Sequence, residues 1–139
     1  MALIPTSTSV VQSFAGALYG LQIGSTTMAA VNRDVDNLGL NATLNAYYSY
    51  SFGALAVSQV AETIATNLGI TTGKANAVAY IVGKLSAAPA ATRGQVVAEM
   101  LQAFSSLTAD ATYGAAASAW NSKIEAAAAY TGSANVSIS

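Results

Sequence analysis

The stretch from Ala75 to Leu107 constrains the chain most, because it carries two apolar stripes at helical spacing on either side of a proline. Val78, Ile81, Val82 and Leu85 mark the first stripe; Val96, Val97, Met100, Leu101, Phe104 and Leu107 mark the second. Each stripe is the face of a helix that has to be covered. Between them, Pro89 disfavours helical geometry at Ala88, and Thr92 with Gln95 has the spacing of a capping box. The second helix is therefore expected to start near Arg93.

The same periodicity accounts for the rest of the chain. Val10, Val11, Phe14, Leu18 and Leu21 predict a helix from about Ser9 to Leu21. Ser25 is placed to cap a second helix carrying Met28, Val31, Val35 and Leu38, with Gly39 as its stop. Asn41 is placed to cap a third, with Leu44, Tyr48 and Phe52 on one side; Gly53 then predicts a kink or break before Leu55, Val57, Val60, Ile64 and Leu68 resume the stripe. Asn67-Leu68-Gly69-Ile70 echoes Asn37-Leu38-Gly39-Leu40, which reads as two glycine stops of one type rather than an internal repeat. From Thr108 to Thr131, Tyr113, Ala116, Ala117, Trp120, Ile124, Ala127 and Ala128 predict a last helix, closed by Gly132. Period-two patterning is confined to a short hint at Val136 to Ile138. The expected fold is all-α, with a polar lead-in over 1–8, one compact domain of about six or seven short amphipathic helices over 9–132, and a polar tail over 133–139.

How such helices pack depends on composition. The chain is 53% hydrophobic and 8% charged, against about 25% charged in an ordinary soluble domain. Much of the apolar count is alanine, so close helix contacts are expected, and the four-residue spacing of Gly16, Gly20 and Gly24 points to a tight crossing at Gly16. A net charge of -1 weakens self-repulsion and favours association. The five basic side chains, Arg33, Lys74, Lys84, Arg93 and Lys123, are scattered and give no electrostatic footprint for nucleic acid. With no cysteine and no histidine, disulfides, thiolate chemistry, the usual zinc and haem ligation and histidine-based triads are excluded. No apolar run approaches the roughly 20 residues that cross a bilayer, and Met1 to Val11 lacks the basic start and apolar block of a cleaved signal peptide.

Three groups of side chains are candidates for chemistry or binding. Asp34, Asp36 and Asn37 put oxygen ligands close together, as calcium requires, although no complete calcium loop follows and a solvated helix face explains them as well. Glu62 and Glu99 would form a carboxylate pair for hydrolysis if the fold brought them together; pairing with Lys74, Lys84 or Arg93 is the competing expectation. Tyr47, Tyr48 and Tyr50 crowd one short helix and point in different directions around it, so at least one reaches the surface. There it would serve contact between copies of the chain, or stacking on a sugar ring. No nucleophile elbow, phosphate loop or dinucleotide motif is present.

The opening stretch also resembles a helical domain of unknown function found in bacterial surface-layer proteins and in RTX-type proteins exported by type I secretion. The residues that carry the resemblance are Tyr80, Leu85, Thr92-Arg93-Gly94 with Val96 and Val97, and Phe104-Ser105; Leu18-Tyr19-Gly20 and Leu21 are similar to the leucine-tyrosine segment that often starts the unit. The segment from Ser106 to Gly132 looks like a helix common after such units. One departure stands at Gln22-Ile23-Gly24-Ser25, where the family carries an aspartate-containing turn, so no calcium or ligand role of that turn is carried over. The resemblance implies a surface-layer or extracellular-matrix setting and export without a cleaved signal peptide. Together these readings lead to the expectation of a non-enzymatic, self-assembling subunit of an extracellular layer or filament, whose partners are copies of itself and which holds no cofactor. The alternatives are a module that binds or anchors to cell-surface polysaccharide and a small carboxylate-based hydrolase.

Overall fold

Glycines and one proline cut the apolar stripes into seven helices: α1 (Ser7–Tyr19), α2 (Ser25–Leu38), α3 (Leu40–Phe52), α4 (Val57–Asn67), α5 (Lys74–Ala87), α6 (Arg93–Ser105) and α7 (Gly114–Thr131). They are seen in a computed structural model that describes residues 7–131, and no β-strand occurs among the described residues. The expected stop at Gly132, the polar tail and the Val136–Ile138 hint lie outside them; of the expected lead-in, Ser7 and Thr8 already belong to α1.

The break expected at Gly53 is real. α3 ends at Phe52, Leu55 donates its N–H to the Phe52 carbonyl at 3.0 Å, and Ala56 is extended, with φ -64° and ψ 143°, ahead of α4. The two matching tetrapeptides stop their helices differently. Gly69 (φ +75°) closes α4 with its N–H on Thr66 and that of Ile70 reaching back to Ala65, which lets Ile70 fold into the core. Gly39 (φ +87°) donates to Val35 and hands the chain straight into α3, whose first turn Thr43 ties back to the Gly39 carbonyl. Position 39 therefore ends one helix and caps the next. This displaces the cap expected at Asn41, which stands inside α3, just as Gly24 replaces Ser25 as the cap of α2. The last helix also starts later than expected: Thr108 to Tyr113 form turns, with the Asp110 carboxylate accepting the N–H groups of Thr112 and Tyr113.

α1 is the central helix, packing on α7, α4 and α6 and touching α3. Phe14, Ala17 and Leu18 on α1 meet Leu44, Tyr48, Ile64, Leu85, Val97, Leu101, Trp120 and Ile124 in one core, while Met28 and Val31 of α2 form a smaller cluster with Val11. Alanines at 17, 61, 65, 117 and 127 are buried as well, which brings backbones close, as the alanine content predicted. Two glycines mark the closest approaches. A Cβ on Gly16 would stand 2.9 Å from the indole ring of Trp120, which is the tight crossing expected there. A Cβ on Gly94 would stand 2.2 Å from the Leu44 carbonyl oxygen, a backbone-to-backbone crossing of α6 on α3 that periodicity did not announce.

Neutral amides join the helices where an ordinary domain would use charges. Asn45 on α3 accepts the N–H of Gln95 at 2.7 Å and so caps α6 from another helix. The expected Thr92–Gln95 capping box does not form: Thr92 bonds back to the Pro89 carbonyl, and Gln95 reaches forward to Glu99. α6 still begins at Arg93, as expected, but tertiary contact closes it. Asn67 donates to the Ala17 carbonyl at 2.8 Å near the end of α1, and buried Asn121 donates to that of Ser105 at 2.8 Å at the end of α6. These bonds satisfy carbonyls that a helix end leaves open.

Candidate functional site

The hairpin singled out by periodicity is splayed. α5 packs chiefly on α4 and α6 chiefly on α3, because each stripe finds a different partner. The gap between them is an apolar groove of about 390 Å³, floored by Ile64, Ile81, Val97 and Phe104 and flanked by Tyr80, Met100 and Leu107. At one end the Tyr113 hydroxyl donates to the Gly73 carbonyl at 2.9 Å. Lys84 Nζ lies 5.6 Å from the centre of the Tyr80 ring, a cation held beside the groove.

A second, wider apolar groove of about 690 Å³ runs between α1, α2 and α3. Tyr19, Leu21, Ile23, Val31, Tyr47 and Tyr50 line it. Tyr19 is fixed there by a 2.7 Å bond from its hydroxyl to Ser51 and by its ring against Phe52, 5.2 Å between centroids.

The three tyrosines of α3 separate as helical geometry requires. Tyr48 is 1% exposed and packs on Phe52, Tyr50 is 94% exposed, and Tyr47 is half-buried with its hydroxyl bonded to the Asp34 carboxylate. Of the three, Tyr50 is free to meet a partner with its whole ring, whereas the Tyr47 hydroxyl is already engaged. Burial pushes the Tyr47 phenol up from its ordinary value of 10.0 to about 12, helped by the hydrogen bond to Asp34 and the negative charge it carries. A phenol raised on folding contributes stability that is complete below its unfolded value and is lost as the pH climbs from there to about 12. In an ultraviolet titration Asp34→Asn should therefore move the midpoint of this tyrosine down from about 12 toward 10. An unmoved midpoint would refute the role of Asp34. Burial also raises the Tyr48 phenol, with the Arg93 charge opposing; its hydroxyl and the Trp120 indole N–H are buried without hydrogen-bond partners.

The remaining candidates do not converge. Asp34 bonds to Tyr47, while Asp36 and Asn37 face solvent on α2. Among the described residues no three acidic side chains come together to hold a metal ion. Glu62 on α4 makes a 3.1 Å ion pair with Lys74, one of the three cations expected as partners, and Glu99 on α6 accepts from Gln95; neither lines a groove. Among the described residues no helix is long and apolar enough to cross a membrane.

No protein-family model, curated protein or solved structure matches the chain. The residues that carry the surface-layer resemblance divide by role. Leu85, Gly94, Val97, Phe104 and Ser105 are buried and build the packing, while Tyr80 is exposed at the groove. The grooves themselves were not legible in sequence. A stripe announces that a face is covered, but which of two facing stripes stays partly open depends on the crossing angles.

Proposed function

We propose that the protein is a non-enzymatic, self-associating structural subunit of an extracellular layer or filament. One observation carries this reading. Among the described residues seven large apolar or aromatic side chains are exposed, and five of them, Tyr19, Leu21, Tyr50, Tyr80 and Leu107, line the two grooves. Apolar surface gathered in this way marks a contact site, whereas scattered exposure would not. The low charge acts in the same direction, since a net -1 opposes association weakly.

The cell-surface setting and export without a cleaved signal peptide follow from the sequence resemblance. Negative-stain microscopy of the purified full chain, with and without added calcium, tests the reading. Ordered sheets or filaments are expected in at least one condition. Dispersed monomers in all of them would sink it.

A further inference from the structure

The two grooves share no lining residue and no helix: one is built by α4, α5, α6 and the turns beside them, the other by α1, α2 and α3. They also differ in shape and charge. At the rim of the wider groove Tyr50 stands almost wholly in solvent, a rigid knob with one polar atom at its tip. The narrower groove is a recess of about 390 Å³ with a core-like floor. Beside Tyr47 on the first face sits the Asp34 carboxylate; beside Tyr80 on the second sits the Lys84 ammonium.

We propose that the occupant of the α5–α6 groove is the Tyr50 face of a second copy of this chain, so that copies join head to tail. The inference rests on the self-association reading and specifies its geometry. A projecting aromatic fits an apolar recess of this size, and opposite charges flanking the two faces fix the register. Because the faces differ, each copy that joins presents a fresh groove or a fresh knob at the growing end. Such an interface closes into a ring if its rotation allows and otherwise extends as a filament.

The test uses two full-length variants. Tyr50→Glu removes the knob at a position 94% exposed, and Ala103→Arg fills the groove from an exposed position on α6, so circular dichroism and thermal unfolding should match the parent. Analytical ultracentrifugation should find large species for the parent and the 13.9 kDa protomer for each variant alone. An equal mixture should give a species of twice that mass and nothing larger, since one intact knob meets one intact groove. Lys84→Glu, which leaves both apolar surfaces in place, should weaken parent assembly about tenfold if its charge fixes register, a loss of about 1.4 kcal/mol. If both variants still assemble as the parent does, other surfaces join the copies; the head-to-tail inference falls and self-association stands. If the variants are monomeric but their mixture does not pair, the two faces do not meet and the inference falls likewise. A parent that is monomeric at every concentration removes both readings.

Discussion

Replacing Gly94 by alanine is expected to destabilise the fold by about 3 kcal/mol, which for a domain of this size lowers the melting temperature by roughly 10 °C. The added Cβ would lie 2.2 Å from the oxygen and 2.4 Å from the carbon of the Leu44 carbonyl, and 2.7 Å from the Asn45 nitrogen. All three are helical backbone atoms, which cannot swing aside as the end of a side chain does. α3 and α6 would have to move apart, loosening Leu44 and Tyr48 from Val97 and Leu101 and pulling Asn45 off the N–H of Gln95. Overpacking and loss of a cap then add. Gly83 supplies the contrast: it lies within α5, a Cβ there meets nothing within 4 Å, and Gly83→Ala should stabilise by up to about 1 kcal/mol through helix propensity. Urea denaturation followed by circular dichroism measures both. Equal midpoints for Gly94→Ala and the parent would show that the crossing yields without cost.

Gln12 should produce an effect of similar size by a different route. Its side chain is fully buried on α1, accepts the Ile23 N–H at 2.9 Å, and donates to the carbonyls of Ile23 at 2.6 Å and Ala127 at 3.2 Å. One amide thus holds the loop before α2 and the C-terminal part of α7 to α1. Gln12→Leu keeps the volume and removes these bonds from buried backbone groups, at an expected cost of about 2–4 kcal/mol. Gln12→Glu is more diagnostic. Burial raises the introduced carboxyl above its unfolded value of about 4.3, and the protonated acid can still accept from the Ile23 N–H and donate to its carbonyl. Its stabilisation is therefore present below about pH 4.3 and is lost as pH rises from there through the folded value. The variant should approach the parent near pH 4 and fall several kcal/mol below it at pH 7. Urea midpoints for both proteins across that range decide it, and a pH-independent difference would rule out a buried carboxyl at this position.

Gln12 also shows why the candidate residues were read unevenly. Nothing distinguishes it in sequence from the glutamines at positions 22, 59 or 102, because a lone polar residue in an apolar stripe gives no hint of which distant backbone it will meet. The tyrosines of α3 were different. Their angular separation follows from 3.6 residues per turn, so it could be foreseen that they would not share one face and that at least one would reach the surface, although the Asp34 contact of Tyr47 could not. Glu62 found Lys74, one of the cations expected for it. That pair is a surface one and adds little to stability.

The sequence by itself determined the helices: seven stripes, the stops at Gly39 and Gly69, the break at Gly53 and the start at Arg93. These depend on backbone sterics and on periodicity within one turn or a few, which local residues control. The tertiary structure alone decided what caps α6, what holds Gln12, where two backbones touch at Gly94, and that the Ala75–Leu107 hairpin opens into a groove instead of closing on itself. Each of those depends on residues far apart in the chain. When a helix is amphipathic on one broad face and nearly neutral on the other, its stripe demands a partner without naming it. The partner is then set by which small residues let two helices approach most closely.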